Sequence, residues 1–247
     1  DHLIMSFKKI AIIGKYNNLK EDPNFSGKLK ALIEFIDSKK IQVFIEEKTQ
    51  QQFKLNSYDS VAISQCKDVD LIIVLGGDGT MLGVGRTISH MGVPMVGINQ
   101  GRFGFLADIS FDAMEKELTS ILEGNYITDE RMLLSVKVMR ENKLIYESLA
   151  LNDIVIKSGS RLIELELSVS QKLLHNQRSD GIIVATPTGT TAYALSATFM
   201  PQLDLCVFLP LGSWTVFVVL RTYRRVEGVL SPSFARKAKL FQSKRVI

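Results

Sequence analysis

A short apolar run that passes straight into a cluster of glycines constrains this chain more than any other feature. Asp70-Leu71-Ile72-Ile73-Val74-Leu75 reads as a buried strand, and Gly76-Gly77-Asp78-Gly79-Thr80 follows it without a spacer. Met81 to Met91 then reads as a helix. A glycine-rich turn between a strand and a helix presents bare backbone N–H groups at a helix N-terminus, and that geometry suits a phosphate. The turn also holds a carboxylate, Asp78, which would repel phosphate. Holding a Mg²⁺ or accepting a proton from a hydroxyl are the usual reasons for one there. A tight turn with Asp78 as a plain helix cap is the bland alternative. The spacing is neither that of the dinucleotide fingerprint nor that of a Walker A loop, which needs a Lys-Ser/Thr after the turn.

The same rhythm runs on either side. Phe7 to Gly14 and Ile41 to Ile45 read as strands, and Ser26 to Lys39 as a helix with Leu29, Leu32, Ile33 and Ile36 on one face. Thr49 to Ser57 is polar and Gln-rich and reads as a surface loop, and Val61 to Val69 leads into the strand before the glycines. Val93 to Ile98 is a further strand. Asp112 to Leu122 is an amphipathic helix, with Ser110 as its N-cap and Gly124 just past its end. Strands alternating with helices indicate a parallel α/β sheet. Near Asn125 the rhythm changes. Met132 to Met139 and Leu144 to Leu149 flank Arg140-Glu141-Asn142-Lys143 as a hairpin, and Asn152 to Ile156 and Leu162 to Val169 continue as strands. A run of strands without helices indicates a second, β-rich domain.

A chain of 247 residues can bury one large core or two moderate ones. Its net charge of +4 comes from its end: from Arg221 onward eight Lys/Arg face one acid, Glu227, so that segment is +7 and residues 1–220 are −3. The body therefore has no basic nucleic-acid face, and no aromatic interleaving accompanies the tail. Leu203 to Leu220 is strongly apolar, but Asp204, Pro210 and Gly212 interrupt it. It reads as buried strands broken by a Pro-x-Gly turn rather than as a membrane span. Cys66 and Cys206 stand far apart in no metal spacing, which fits a reducing, cytoplasmic setting. Met5 reads as the natural start, with Asp1 to Ile4 an extraneous leader, and no signal-peptide pattern follows. His2, His90 and His175 form no catalytic or metal motif; His90 falls at a helix end and His175 in a turn, both in structural roles.

Two more segments carry chemistry. Leu151-Asn152-Asp153-Ile154-Val155 puts an amide and a carboxylate at the start of an apolar strand, either as an Asx-turn or as hydrogen-bonding groups for a nucleotide. In Arg178-Ser179-Asp180-Gly181 to Tyr193, a strand ends at Thr186 and a turn of small hydroxylated residues opens a helix. Small residues allow close backbone approach, and Tyr193 could cover a planar ring or sit at a core edge.

Taken together, LIIVLGGDGTML, GINQGRFGFLAD, ERMLL, LNDIVI and RSDGIIVATPTGTTAYALSA resemble, in order and separation, the NAD kinase family of bacterial type, over about Phe7 to Ala197. GGDGT alone is shared with diacylglycerol and sphingosine kinases and, more loosely, phosphofructokinases; the Asn-Asp and TPTGTTAY segments single out NAD kinases. The resemblance implies a Rossmann-like parallel α/β domain of the diacylglycerol-kinase/phosphofructokinase kind over 5–124. It implies an all-β NAD-binding domain over 125–220, with 221–247 a basic tail. The implied reaction moves the γ-phosphoryl of ATP, or of polyphosphate, to the 2′-hydroxyl of the adenosine ribose of NAD. Mg²⁺ would accompany ATP, and the enzyme would be a homodimer or homotetramer through the β domain.

Residue by residue, the resemblance implies that Asp78 orients and deprotonates the 2′-hydroxyl. Gly76, Gly77, Gly79 and Thr80 form the phosphate-side turn, with Arg102 near the phosphates or merely on the surface. Phe105 walls the NAD pocket, and Asn152 and Asp153 bond the nucleotide. Asp180, Thr188, Thr191, Ala192, Tyr193 and Ser196 line the same site, some across a subunit boundary. No residue is implied as a protein metal ligand. After Ala197 the family's Gly-Gly-Pro turn is replaced by Thr198-Phe199-Met200-Pro201, and beyond Leu211 nothing matches. This reads as a frameshifted or divergent end that leaves the β domain without its last strands, so the chain is expected to be poorly stable or inactive. The competing readings are another GGDGT kinase, acting on a lipid or sugar, and a non-catalytic NAD-binding protein.

Overall fold

A computed structural model describes residues 7–14, 24–101, 104–157, 162–169, 171–198, 205–208, 216–221, 226–231 and 239–240. The chain divides into two units, Asp1–Glu130 with Lys237–Ile247, and Arg131–Arg236.

Continuous β-branched runs make the centre of the first unit, as expected for strands buried on both faces. β1 (Lys9–Gly14) is followed by α1 (Phe25–Ser38), β2 (Gln42–Glu46), α2 (Glu47–Phe53), β3 (Asp59–Val61) and β4 (Leu71–Leu75). Then come α3 (Asp78–Ile88), β5 (Met95–Asn99), β6 (Ile109–Ser110), α4 (Met114–Leu122) and β7 (Asp129–Glu130). The order β3-β2-β1-β4-β5 is parallel throughout. Leu29, Leu32, Ile33 and Ile36 of α1 and Met114, Leu118 and Ile121 of α4 join Ile10, Ile12, Leu71, Ile73, Val96 and Ile98 in one core. The strand order reverses between β1 and β4, whose ends Gly14 and Leu75 are register partners. Open parallel sheets take ligands outside the carboxyl ends of strands at such a reversal. The glycine cluster leaves β4 there.

One expected loop is a helix. α2 occupies most of the Gln-rich stretch because Glu46, itself buried, caps it by accepting from the Thr49 N–H (2.8 Å) and hydroxyl (3.0 Å). Residues Ile63–Asp68 form a 3₁₀ segment. Ser110 caps a 3₁₀ turn, Phe111–Ala113, accepting from Ala113 N–H at 3.3 Å; α4 itself begins after it at Met114 with no side-chain cap, and Gly124 follows α4 with φ 90°.

The second unit opens with the expected hairpin. β8 (Leu134–Arg140) and β9 (Lys143–Ala150) are joined through Glu141 and Asn142, both at positive φ, the two-residue turn that matches strand twist. β10 (Asp153–Lys157), β11 (Ile163–Val169), β12 (Lys172–Ser179) and β13 (Gly181–Ala185) follow. α5 (Tyr193–Thr198), β14 (Leu205–Phe208), β15 (Val216–Arg221) and β16 (Val226–Ser231) complete it. His175, expected in a turn, lies in β12 opposite Leu167. An antiparallel sheet runs β12-β11-β15-β16-β8-β9, and a smaller mixed sheet runs β10-β13-β14, antiparallel between β10 and β13 and parallel between β13 and β14. Leu134, Val136, Ile163, Leu165, Leu167, Ile182 and Val184 form the core between them. On the other face of β13, Ile183 and Ala185 pack on Ala194 and Ala197 of α5.

The altered end was expected to leave the β domain without its last strands. β15 and β16 instead pair in the middle of the larger sheet, with β11 and β8. Their apolar, β-branched runs have the composition a central strand needs. β17 (Lys239–Leu240) returns to the first unit beside β5 and β7. The apolar stretch from Leu203 supplies β14 and β15, while Pro210 and Gly212 lie outside the described residues. Among the described residues no helix is long and apolar enough to cross a membrane.

Candidate active site

The strand–turn–helix of the first unit forms as its sequence indicates. Gly76 N–H donates to the Ile98 carbonyl (2.9 Å), tying the exit of β4 to β5. A Cβ at Gly76 would lie 2.6 Å from Thr80 Oγ1, so the Thr80 side chain is folded against that glycine. Gly77 precedes α3 in an extended conformation, and its carbonyl accepts from Thr80 (3.0 Å) and Met81 (3.1 Å). Among the described residues, and leaving aside the helix's own backbone, no atom lies within 4 Å of a Cβ built on Gly77 or on Gly79. The backbone there faces open space at a helix N-terminus, where N–H groups and the helix dipole favour an anion.

Asp78, the first residue of α3, is half-buried and held from outside its own turn. Phe105 N–H donates to Oδ2 at 2.8 Å, and Leu106 and Ala107 N–H donate to Oδ1 at 2.9 and 3.0 Å. Gly104 precedes this loop because a Cβ there would overlap the Asp78 carboxylate. Asn99 supports the far side, its Nδ2 donating to the Ala107 carbonyl at 3.4 Å. Among the described residues three donors fix both carboxylate oxygens, and Oδ2, which takes one of them, has a lone pair for another. Phe105 donates its N–H while the residue as a whole is 54 % exposed. Arg102 lies outside the described residues.

In the second unit Asn152, Asp153 and the Thr186–Tyr193 turn meet. Thr186 N–H donates to the Asn152 carbonyl (2.8 Å), and the Thr186 hydroxyl donates to that of Leu151 (2.5 Å). Gly189 packs so closely that a Cβ would overlap the Asn152 carbonyl. Its N–H reaches both the carbonyl (3.0 Å) and the hydroxyl (3.1 Å) of Thr186. Asn152 Oδ1 is buried without a hydrogen-bond partner, an acceptor left over by the protein. Asp153 begins β10 opposite Ala185, and burial raises its carboxyl above the ordinary aspartate value.

The remaining positions differ in setting. Thr188 is buried, Thr191 is exposed with its hydroxyl turned to the Thr188 carbonyl (3.4 Å), and Ala192 is half-buried. Tyr193 packs on the Ala185–Ala194 cluster. Ser196 is exposed, its hydroxyl bonded to the Ala192 carbonyl (3.2 Å). Asp180 sits in the bend between β12 and β13. One residue was not singled out from the sequence: Arg131, whose Nη1 donates to Thr188 Oγ1 at 3.0 Å across 57 positions of chain. The ERMLL segment carried it, but no local pattern shows which side chain it meets.

One family model matches in each unit of the chain. The ATP-NAD kinase N-terminal domain matches residues 22–126, and the ATP-NAD kinase C-terminal domain matches 151–208. The NAD kinase of Nitrosospira multiformis is 43 % identical over 217 residues, covering 85 % of this chain and 72 % of that protein. The chain belongs to the NAD kinase family. These are enzymes that phosphorylate NAD. The Nitrosomonas eutropha NAD kinase is 41 % identical over 216 residues, with 85 % and 72 % covered. A yeast NADH kinase crystallised with NADH superposes with a TM-score of 0.77 at 18 % identity, over 97 % of this chain and 85 % of that one. An Archaeoglobus fulgidus NAD kinase in complex with ATP superposes at 0.62 with 22 % identity, over 96 % and 95 %. Both share the fold of an α/β domain joined to a β domain.

Proposed function

We propose that this member of the NAD kinase family transfers the γ-phosphoryl group of ATP to the 2′-hydroxyl of the adenosine ribose of NAD. The β–γ anhydride P–O bond breaks, a P–O bond to the ribose 2′-oxygen forms, and ADP and NADP leave. The observation that carries this reading is Asp78. Its carboxylate stands at a helix N-terminus beside bare glycine backbone, and three N–H donors fix its direction. Phosphoryl transfer asks a protein for positioning and charge neutralisation more than for covalent chemistry. In this reading the Oδ2 lone pair accepts the hydroxyl proton, and Gly77 and Gly79 leave room for phosphate. Thr80 shapes the turn by covering Gly76. Asn152 Oδ1, Asp153 and the turn from Thr188 to Ser196 recognise the nucleotide, and Phe105 offers its exposed ring as a wall.

Among the described residues no three metal-ligating side chains converge. In this reading Mg²⁺ enters bound to the nucleotide phosphates and would supply charge neutralisation there. The edge strands of the larger β sheet expose Leu144, Ile145 and Tyr146 on β9 and Leu173 and Leu174 on β12, each more than half exposed. Apolar edges of this kind support assembly with further copies of the chain, as a dimer or tetramer. The free, buried thiol of Cys66 accords with a cytoplasmic enzyme.

Purified protein incubated with NAD, ATP and Mg²⁺, coupled to an NADP-specific dehydrogenase, is expected to form NADP. Parallel reactions with polyphosphate and with NADH test the donor and acceptor range. NAD binding by calorimetry without any NADP would favour the non-catalytic reading. Turnover of a diacylglycerol or sugar with none of NAD would favour a different GGDGT kinase.

A further inference from the structure

We infer that Arg131 is a positioning residue for nucleotide recognition, acting by making Thr188 an outward donor; the inference rests on the NAD kinase reading above. Arg131 is the first residue of the second unit, and its guanidinium reaches Thr188 Oγ1 at 3.0 Å. Thr188 is only 7 % exposed, so its hydroxyl has few other partners to turn to. A guanidinium donates and never accepts. The Thr188 oxygen therefore receives a hydrogen bond, and its own proton must point elsewhere. Without Arg131 the hydroxyl could rotate freely between donor and acceptor orientations.

The rest of the turn is already committed. Thr186 spends its N–H and hydroxyl on Asn152 and Leu151, and Thr190 spends its hydroxyl on the Pro187 carbonyl at 2.8 Å. Thr191 turns its hydroxyl to the Thr188 carbonyl. Thr188 is thus the one hydroxyl of the turn whose oxygen is taken by a side chain that cannot accept. The Gly189 contact with the Asn152 backbone means that Thr188 and Asn152 move as one piece. Arg131 braces that piece from the opposite end of the chain segment. The turn then offers a donor, the Thr188 hydroxyl, while Asn152, whose backbone Gly189 contacts, holds an acceptor, Oδ1, that the protein leaves unpartnered. A donor and an acceptor held on one such piece suit the polar edge of a purine or a ribose hydroxyl pair. The guanidinium never touches the substrate in this scheme.

Four variants in the full chain test this: Arg131→Met, Arg131→Lys, Thr188→Val and the Arg131→Met/Thr188→Val double. NAD affinity is measured by calorimetry, KM for NAD and for ATP and kcat by the coupled assay, and folding by thermal melts. Arg131→Met and Thr188→Val should each raise Kd and KM for NAD about tenfold, the scale of a charge-assisted hydrogen bond, with KM for ATP unchanged. The double variant should be no weaker than either single, because both remove one interaction. Arg131→Lys, which keeps a donor, should recover part of the loss. Unchanged NAD affinity in a folded Arg131→Met protein, additive penalties, or equal losses for NAD and ATP would overturn the inference while leaving the NAD kinase reading intact. A folded wild type that neither binds nor phosphorylates NAD would overturn both.

Discussion

The turn after β4 in the first unit and the turn after β13 in the second are built on opposite plans. After β4, the chain leaves its backbone bare: among the described residues nothing approaches the missing Cβ atoms of Gly77 and Gly79, and the charged group of the turn, Asp78, is gripped by N–H donors from 105–107. After β13, the chain closes on itself. Thr186, Thr190 and Thr191 spend their hydroxyls on nearby carbonyls, and Gly189 is pressed onto Asn152. Glycine in the first turn makes room for something that is not protein, whereas glycine in the second makes room for the protein itself. Open backbone beside a fixed carboxylate suits charge transfer. A rigid, self-satisfied turn with a leftover acceptor suits recognition.

The comparison breaks most visibly at Asp78. Asp78→Ala should lower the rate of NADP formation about a thousandfold, within the ~10²–10⁴ range of a lost general base. It should also lower the melting temperature, because three N–H groups lose their acceptor. A rate within tenfold of wild type would remove Asp78 from the chemistry. Next in size is a paired glycine test. Gly189→Ala must push on the Asn152 backbone and should cost about 1–3 kcal/mol in denaturant unfolding. Gly79→Ala meets no atom of the other described elements and should gain about 0.4–1 kcal/mol, yet lose turnover because its methyl enters the open space. Equal stability effects at the two sites would erase the contrast.

Thr186→Val removes the hydroxyl that links the second turn to Leu151 and Gly189. It should cost about 1–2 kcal/mol, read from urea midpoints. The smallest effect concerns Asp153. Burial raises its folded pKa above the ordinary 3.8, so the folded state binds this proton more tightly than the unfolded state does. Its contribution to stability is present below 3.8 and is lost as pH rises through the raised folded value. Asp153→Asn should therefore compare more favourably with wild type in melting temperature at pH 7 than at pH 3, while weakening NAD binding. An equal difference at both pH values would show that the carboxyl pays no burial cost.

Much of the first unit was legible because its signals are local. β4 is an uninterrupted apolar run and β1 and β5 nearly so, α1 repeats its apolar residues at helical spacing, and Ser110 and Gly124 bracket the 3₁₀ turn and α4 together. α2 was not legible, because Thr49–Ser57 has no apolar period and the helix depends on a buried cap from Glu46. β12 escaped notice because KLLHNQRS is an edge strand that mixes apolar and polar residues without alternation. The insertion of β15 and β16 between β11 and β8 escaped it too, since register with strands about fifty to ninety residues away leaves no local mark.

The same division holds for the chemistry. The amino-acid order alone determined the strand–glycine–helix unit, the carboxylate within it, and the Asn152-Asp153 and Thr186–Tyr193 segments, because turn and helix-start preferences are written in neighbouring residues. Only the tertiary structure decided what those groups touch. It brought the 105–107 amides to Asp78, pressed Gly189 onto Asn152, left Asn152 Oδ1 without a partner, and carried Arg131 to Thr188. These contacts join residues 27 to 57 positions apart. They form because each buried polar group must find a partner wherever the packed strands place one.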